Sequence, residues 1–405
     1  MADVATGGVP FAEAISFLTN KVDLPTRTWT DLFQGMHARA FVVSGAVKAA
    51  LIADFHEAVN KAIAEGRTLA DFRKDFDRIV AKHGWSYKGS RGWRSRVIYG
   101  TNMRMATNAG RWAQIQRLKK TKPYVRYVAV MDGRTRPEHR AWHDTILPVD
   151  DPFWRTHAPP NGWNCRCKVQ PFSARDLKRR GKAVTDPPPR IEKETRQVNT
   201  PEGKVSLEVP KGIDTGFAYN VGDAAWGRGA SKVAQERHGP WQALSAPGGN
   251  RPQDPGNLTV FTPKASIGER TKDPETLKKL MNKSLGADDA VLVDPLGARI
   301  QVGQGIVDHL IENTKRMDGR EAFFPFIPEL IEDPEEIWAG FAESSISGRV
   351  LIRRRYAKLL QIGKNRTVSL VADLDGGIWS GLTFFPGKSD KLKNIRNGLR
   401  IYKKE

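Results

Sequence analysis

Between residues 176 and 257 the chain carries the breakers DPPPR, APGGN and RPQDPGN and shows no apolar periodicity. A stretch that long without a periodic apolar face does not build a core; in a compact protein it reads as a linker or an extended arm. The apolar residues must then be buried in two places, one before it and one after. With 405 residues, the chain is long enough for a core in each. The expected organisation is a multidomain α+β protein. It has a mainly helical module at 1–175, an arm and linker at 176–257 with a flexible boundary near 231–257, and a small α+β domain at 258–405.

The first module reads as helices up to about residue 120. TLADFRKDFDRIVAKHG is the clearest: Thr68 and Asp71 form a capping-box start, Leu69, Phe72, Phe76 and Ile79 follow helical spacing, and Gly84 suits the stop. DLFQGMHARAFVVSGAVKAALIADFHEAVNKAIAEG predicts a second helical region interrupted near Gly45, and SRVIYGTNMRMATNAGRWAQIQRLKK a third with a basic exposed face. YVRYVAVMDG at 124–133 is a β-type run that ends in an Asp-Gly turn. In the last domain AVLVDPLGARIQV predicts a hairpin and GIVDHLIENTKRM a helix, and Asp333-Pro334 opens an expected helix PEEIWAGF. RVLIRRRY, TVSLVADL, IWSGLTFF and LRIYKK follow as strands, with DLDGG as a hairpin turn and DKLKNIRNG as a short basic helix. Helices followed by strands predict helices packed on an antiparallel sheet.

Charge narrows the partners. The net charge is +20, which favours an anionic partner, and nucleic acid is the obvious one. Within the last domain the excess is lopsided: 344–405 holds 14 Lys/Arg against 4 Asp/Glu, whereas 261–343 holds 10 against 16. The strand-rich part is where a phosphate backbone is expected to sit. The N-terminus has no cationic start followed by an apolar run, so no secretory signal is expected. No stretch approaches the ~20 apolar residues of a membrane helix. Synthesis and assembly in the cytoplasm are expected, without a membrane anchor.

The only two cysteines, Cys165 and Cys167, lie in PPNGWNCRC. So short a loop makes a poor disulfide, and reduced thiols or metal ligands fit better. Alternate residues of an extended segment can both turn toward one ion, and His139 is the best third ligand. Asp132, His143 or His157 is left for the fourth position of a tetrahedral structural zinc site. Asp150-Asp151, followed by Pro152, reads as a turn rather than an acid pair.

The run DGRTRPEHRAWHDTILPVDDPFWRTHAPPNGWNCRCKV resembles the signature of the phage Mu F-type head morphogenesis, or minor capsid, family. YGTNMRMATNAGRWAQ, FLTNKVDLPTRTWTDLFQGMHARAFVV and GIDTGFAYNVGDAAW extend the likeness over roughly 10–230. The resemblance implies a virion protein that associates with the portal, capsid and scaffold. In relatives the position of His139 is often a cysteine, and a His-x-x-Cys-x-Cys stands where this chain has Gly-Trp-Asn-Cys-Arg-Cys.

Residues 258–405 resemble phage nuclease domains of the Barnase–EndoU–colicin–RelE (BECR) superfamily through VLVDPLG, DHLIENTKRMDGREAFFPFIPELIEDPEEIW, LIRRRY, LTFFP and LKNIRNGLRIY. That likeness implies metal-independent RNA cleavage by a toxin-like domain, with no catalytic cofactor. Such chemistry uses the RNA's own 2′-hydroxyl and needs a proton-transfer group and cations for the phosphorane charge. His309 lies about 130° from the centre of its helix's apolar face, off the core side, and it titrates in the useful range. Arg320, Arg354 and Arg396 are phosphate-binding candidates, Thr383 offers a hydroxyl from an apolar strand, and Tyr402 could orient a base or phosphate. LIRRRY alternates, so Arg353 and Arg355 share one face and Arg354 the other; at most one face lines a site. An RNA substrate, tRNA among the possibilities, and an acidic immunity protein are the partners expected of this domain. Location is expected first in the host cytoplasm and then in the phage head. The rival is a purely structural capsid protein whose basic sheet binds packaged DNA. Convergence of His309, Thr383 and Arg354 or Arg396 on one cleft would separate the two.

Overall fold

A computed structural model describes residues 11–228, 240–247, 256–312, 319–362, 366–375, 378–387 and 395–405. The chain forms two compact units: 1–242 with 246–248 and 343–350, and 243–245 with 249–342 and 351–405. Most of the expected boundary at 231–257 lies outside the described residues.

The first unit opens with helices α1 (Ala12–Thr19), α2 (Ala49–Glu65), α3 (Leu69–His83) and α4 (Arg91–Leu118). α3 starts as expected. The Thr68 backbone N–H donates to Asp71 Oδ2 at 3.2 Å, the Asp71 N–H donates to Thr68 Oγ1 at 3.3 Å, and Gly84 ends the helix in the left-handed region. The longer helical region around Gly45 is corrected. Only Ala49 onward is α-helical, and Ala40–Phe41 (β2) pairs in parallel with Val22–Asp23 (β1). Phe41-Val42-Val43 favours extended backbone, and Gly45 at φ +83° cannot continue a helix. α4 does not keep a wholly basic exposed face, because Arg94 is buried and Arg104 and Arg111 are half-buried.

A three-stranded antiparallel sheet follows, in the order β4 (Ile146–Pro148), β3 (Tyr124–Val128), β5 (Lys168–Phe172). α5 (Pro137–Ala141) and α6 (Trp154–His157) lie in its connections. Tyr127, Leu147, Phe153, Trp154 and Val169 pack with Trp112 of α4 into one core that also contains Cys165 and Cys167. The stretch after 173 is more ordered than its breakers suggest. α7 (Ala174–Arg179), a two-stranded ribbon of β6 (Lys193–Thr200) and β7 (Gly203–Pro210), and α8 (Val221–Trp226) replace the irregular arm. The ribbon escaped notice because its outward positions are charged and few apolar residues alternate with them.

The second unit is built on a nine-stranded sheet. Its main path runs β10 (Asp289–Val293), β11 (Arg299–Gly303), β15 (Ile378–Gly387), β14 (Arg366–Asp375), β13 (Val350–Leu360), β12 (Glu336–Ser344), β16 (Leu399–Lys403). β8 (Trp241–Leu244) pairs with β12, and β9 (Val260–Phe261) with β13. Pairing is mostly antiparallel, but β11–β15 and β9–β13 are parallel. α9 (Pro274–Leu285), α10 (Gln304–Ile311) and α11 (Ile327–Glu332) complete the unit. α10 packs against β15 and α11 against β14. The hairpin at Asp294–Ala298 forms as expected: Asp294 Oδ1 accepts the backbone N–H groups of Leu296 and Ala298. The expected helix PEEIWAGF is strand β12 instead. It is buried on both faces, so its apolar run carries no alternation to distinguish it from a buried helix. The expected helix DKLKNIRNG lies outside the described residues over 388–394, as do Gly376 and Gly377 of the DLDGG turn and 313–318 after α10.

Lys358 of β13 is 1% exposed and is held by Glu329 Oε1 and Asp333 Oδ2, both at 2.9 Å. Burial alone would raise Asp333, but hydrogen bonds from Lys404 and Lys358 outweigh it and hold the carboxyl at about 2. A lowered folded-state pKa stabilises above the unfolded value near 4, and that stability is lost as pH falls toward 2. The share of Asp333 in this loss is about 2 kcal/mol, and the difference in urea-unfolding stability between pH 5 and pH 2 should shrink by about that amount in Asp333→Asn.

Candidate functional sites

In the first unit, His139, Cys165 and Cys167 are buried, and their ligand atoms lie within 4.8 Å of one another. His139 Nδ1 is 3.8 Å from Cys165 Sγ and 3.5 Å from Cys167 Sγ. The imidazole is fixed from its other side, where Nε2 donates to the Gly212 carbonyl at 2.9 Å. That bond puts the proton on Nε2 and leaves the Nδ1 lone pair facing the thiols, the tautomer a metal ligand needs. Gly212 stands at φ +83°, and a Cβ there would meet Glu138 Cβ at 2.5 Å, so this close approach requires glycine. A hydrogen bond from Cys167, and then His139, hold the Cys165 thiol well below its ordinary range, while Cys165 pushes Cys167 up. The pair thus holds one negative charge readily and resists a second unless a cation lies between.

The other expected ligands are elsewhere. The Asp132 carboxylate is taken by Arg166, with two contacts of 2.6 Å that hold its pKa far below the usual range. It therefore pairs with Arg166 instead of joining the thiols. His143 Nδ1 accepts the Ala129 N–H at 3.1 Å. His157 stacks on Phe153, and burial pushes it down to about 4. The three clustered residues line a cleft of about 130 Å³ together with Arg134, Arg136, Trp163 and Arg166.

In the second unit, the alternation of β13 decides the rest. Arg354, Tyr356 and Lys358 point to one face. Arg354 Nη1 and the Tyr356 hydroxyl both bond Asp294 Oδ2, and the Arg354 guanidinium lies 4.8 Å over the Trp379 ring. Arg354 is 7% exposed and Asp294 is 3% exposed. This arginine holds the β10–β11 turn to the sheet and is not free for phosphate. Arg396 is likewise consumed: it pairs with Glu336 at 2.7 and 3.1 Å, and Glu336 also takes Arg400 and the Trp338 indole N–H. Tyr402 stands opposite Ile337, at the far strand of the sheet.

Two expected residues, Thr383 and Arg320, come together at β15, and the helix that carries His309 packs on the same strand. Beyond Ser380 this strand has no β11 partner in the register. α10, which carries the half-buried His309, packs there, with Ile306 Cδ1 3.3 Å from a Cβ built on Gly381. Arg320 Nη1 donates to the Phe384 carbonyl at 3.4 Å, next to Thr383. Thr383 registers with Val371, which registers with Arg355, so these side chains share the face opposite Arg354. Arg353, bonded to Asp373 at 2.8 Å, is on that face too. The alternation of LIRRRY made both faces readable, but not which one α11 covers, so Arg353 and Arg355 were passed over. The expected single cleft therefore divides: Arg320 reaches β15 beside Thr383, the helix of His309 packs on the same strand at Gly381, which registers through Ala372 with Arg354 rather than with Thr383, and Arg354, Arg396 and Tyr402 are held elsewhere.

Residues 53–170 match the phage Mu protein F like family. Residues 275–403 match the phage-Barnase-EndoU-ColicinE5/D-RelE like nuclease2 family. The chain is 35% identical over 245 residues to capsid assembly protein F of Escherichia phage Mu, covering 54% of this chain and 56% of that protein. It is 33% identical over 223 residues to the Mu-like prophage FluMu F protein of Haemophilus influenzae, covering 50% and 54%. The chain thus spans about half the length of the curated relatives it matches. No solved structure matches it. The chain carries a Mu F-like domain and, after it, a phage nuclease domain.

Arg354→Ala should leave the buried Asp294 carboxylate with hydrogen-bond donors but no cation, and cost roughly 3–5 kcal/mol. Urea unfolding checks this. A loss of activity in this variant should follow the fraction unfolded.

Proposed function

We propose that the chain is a phage head-assembly protein that carries a ribonuclease into or with the virion. The observation that supports this is the tandem order in one chain, Mu F-like at 53–170 and nuclease-like at 275–403. The first unit would work with portal, capsid and scaffold proteins, in the host cytoplasm during assembly and then in the head. The basic second half of the nuclease domain suits RNA, tRNA among the possible substrates, and an acidic immunity protein as restraint in the producing cell.

In the proposed reaction the 2′-oxygen attacks phosphorus and the bond to the 5′-oxygen breaks, giving a 2′,3′-cyclic phosphate and a 5′-hydroxyl. A base takes the 2′-hydroxyl proton and an acid returns one to the leaving oxygen; His309 is proposed for one of these transfers. Arg320 and Arg355 would hold the phosphorane charge and Thr383 would hydrogen-bond a phosphate oxygen. The full chain should cleave tRNA in chelator to products with cyclic-phosphate ends. His309→Ala and Arg355→Ala should each slow cleavage by roughly 10²-fold or more. Intact RNA from folded wild-type protein would instead favour a structural, DNA-binding C-terminal domain.

For the first unit, His139, Cys165 and Cys167 are proposed as three ligands of a structural zinc ion. Two thiolates and an imidazole suit zinc, and the Gly212 carbonyl supplies the outer partner that fixes the histidine. Elemental analysis should find about one zinc per chain, lost in Cys165→Ser, with a lower melting temperature for the first unit. Purified protein free of metal, with a melting temperature unmoved by chelator, would remove the ion from this reading.

A further inference from the structure

A second cavity lies in the first unit, sharing Trp163 with the cleft of the thiol cluster, and its volume is about 120 Å³. Its walls are mostly apolar: Leu32, Val43, Ile98, Met105 and Phe217 line it, and Trp163 stands at its edge, 39% exposed. Into this apolar space the fold brings cations without acids. Lys21 lines the cavity and is 8% exposed, and no hydrogen-bond or ion-pair partner meets its Nζ among the described residues; the Phe17 ring lies 4.4 Å away. Arg94 also lines it and is 9% exposed. One nitrogen of its guanidinium bonds the Ser44 carbonyl, but its buried Nε has no partner. No Asp or Glu is among the lining residues.

A buried ammonium without a carboxylate is costly. Burial pushes Lys21 down to about 7, and burial followed by the Lys21 charge pushes the lining His37 down to about 4. The position of Lys21 just beyond the C-terminus of α1 offsets part of this cost through the helix dipole. It does not give the nitrogen an acceptor, nor does it account for the orphaned Arg94 Nε.

We propose that this cavity is a docking site for a partner polypeptide that presents one apolar side chain beside a carboxylate. The side chain fills the cavity and the carboxylate pairs with Lys21 and Arg94. The volume is close to that of an engineered cavity that holds one benzene ring, about 150 Å³, so a single aromatic or branched side chain fits and a larger ligand does not. A free acid of that size has too few atoms to bind tightly. A polypeptide adds contacts across the exposed Trp163 ring at the rim, and a chain-terminal Phe or Leu combines the side chain and the carboxylate in one residue.

The test uses the full chain and four probes, N-acetylphenylalanine, N-acetylphenylalaninamide, 3-phenylpropionate and 3-phenylpropionamide, titrated by ligand-observed NMR. N-acetylphenylalanine should bind at least ten times more tightly than its amide. Lys21→Met should abolish that preference while raising the melting temperature, because a thioether chain replaces a buried charge. Val97→Trp, placed on a half-buried lining position, should block both ligands without emptying the core. Equal binding of acid and amide, an acid preference that survives Lys21→Met, or no binding would overturn the proposal. Binding of 3-phenylpropionate with exclusion of N-acetylphenylalanine would overturn the polypeptide as occupant and assign the site to a free acid.

Discussion

The pleat of β13 sets what the second unit can do. Successive residues of a strand face opposite ways, and this strand carries three arginines in a row and a lysine three residues later. Arg354 and Lys358 go to the same face, beneath other elements, where each must find a carboxylate. Asp294 answers the first, and Glu329 and Asp333 the second. These pairs tie the β10–β11 turn and the end of α11 to the middle of the sheet. Arg353 and Arg355 go to the other face. One residue of slip would exchange the two sets, parting Arg354 and Lys358 from their carboxylates and leaving buried acids without partners. The register therefore fixes which cations are buried in ion pairs and which lie on the other face, where Arg353 bonds Asp373 and Arg355 the Asn397 carbonyl.

The first unit solves a different problem with the same economy of charge. Its C-x-C loop follows a stretch rich in Pro, Trp and His with only short regular elements, and Cys165 and Cys167 join Phe153 and Trp154 inside the main core. The His139 ring is held between the thiols and the Gly212 carbonyl, from a segment 73 residues further on. Arg166, which stands between the two cysteines in sequence, is held by Asp132. The loop is thus fixed by an ion pair and by the imidazole. Such an arrangement is ready for a cation without large rearrangement.

Much of this was legible in the sequence. The Thr68 cap, the Asp294 turn and the strands of the last domain carry local signals strong enough to survive their surroundings. The His139–Cys165–Cys167 grouping was also readable, because few residue types can ligate soft metals and they lie close in the chain. What was not legible depends on contacts far apart. Asp132 reads as a ligand until Arg166 is seen to occupy it. Arg354 and Arg396 read as phosphate contacts until Asp294 and Glu336, 60 residues away in each case, are placed beside them. β12 was misread because burial on both faces erases the alternation that marks a strand. The cavity around Lys21 and Arg94 could not be foreseen at all, since both are ordinary surface residues by type.

The most direct measurement is photocrosslinking of the full chain to a tRNA carrying 4-thiouridine and a 2′-O-methyl block at the cleavage positions, with the attachment sites mapped by mass spectrometry. Crosslinks should concentrate on the β13–β15 face that carries Arg353, Arg355 and Thr383, and near α10 and Arg320. Crosslinks confined to the first unit, or to the surroundings of Arg354 and Asp294, would contradict the proposal that the second unit cleaves RNA.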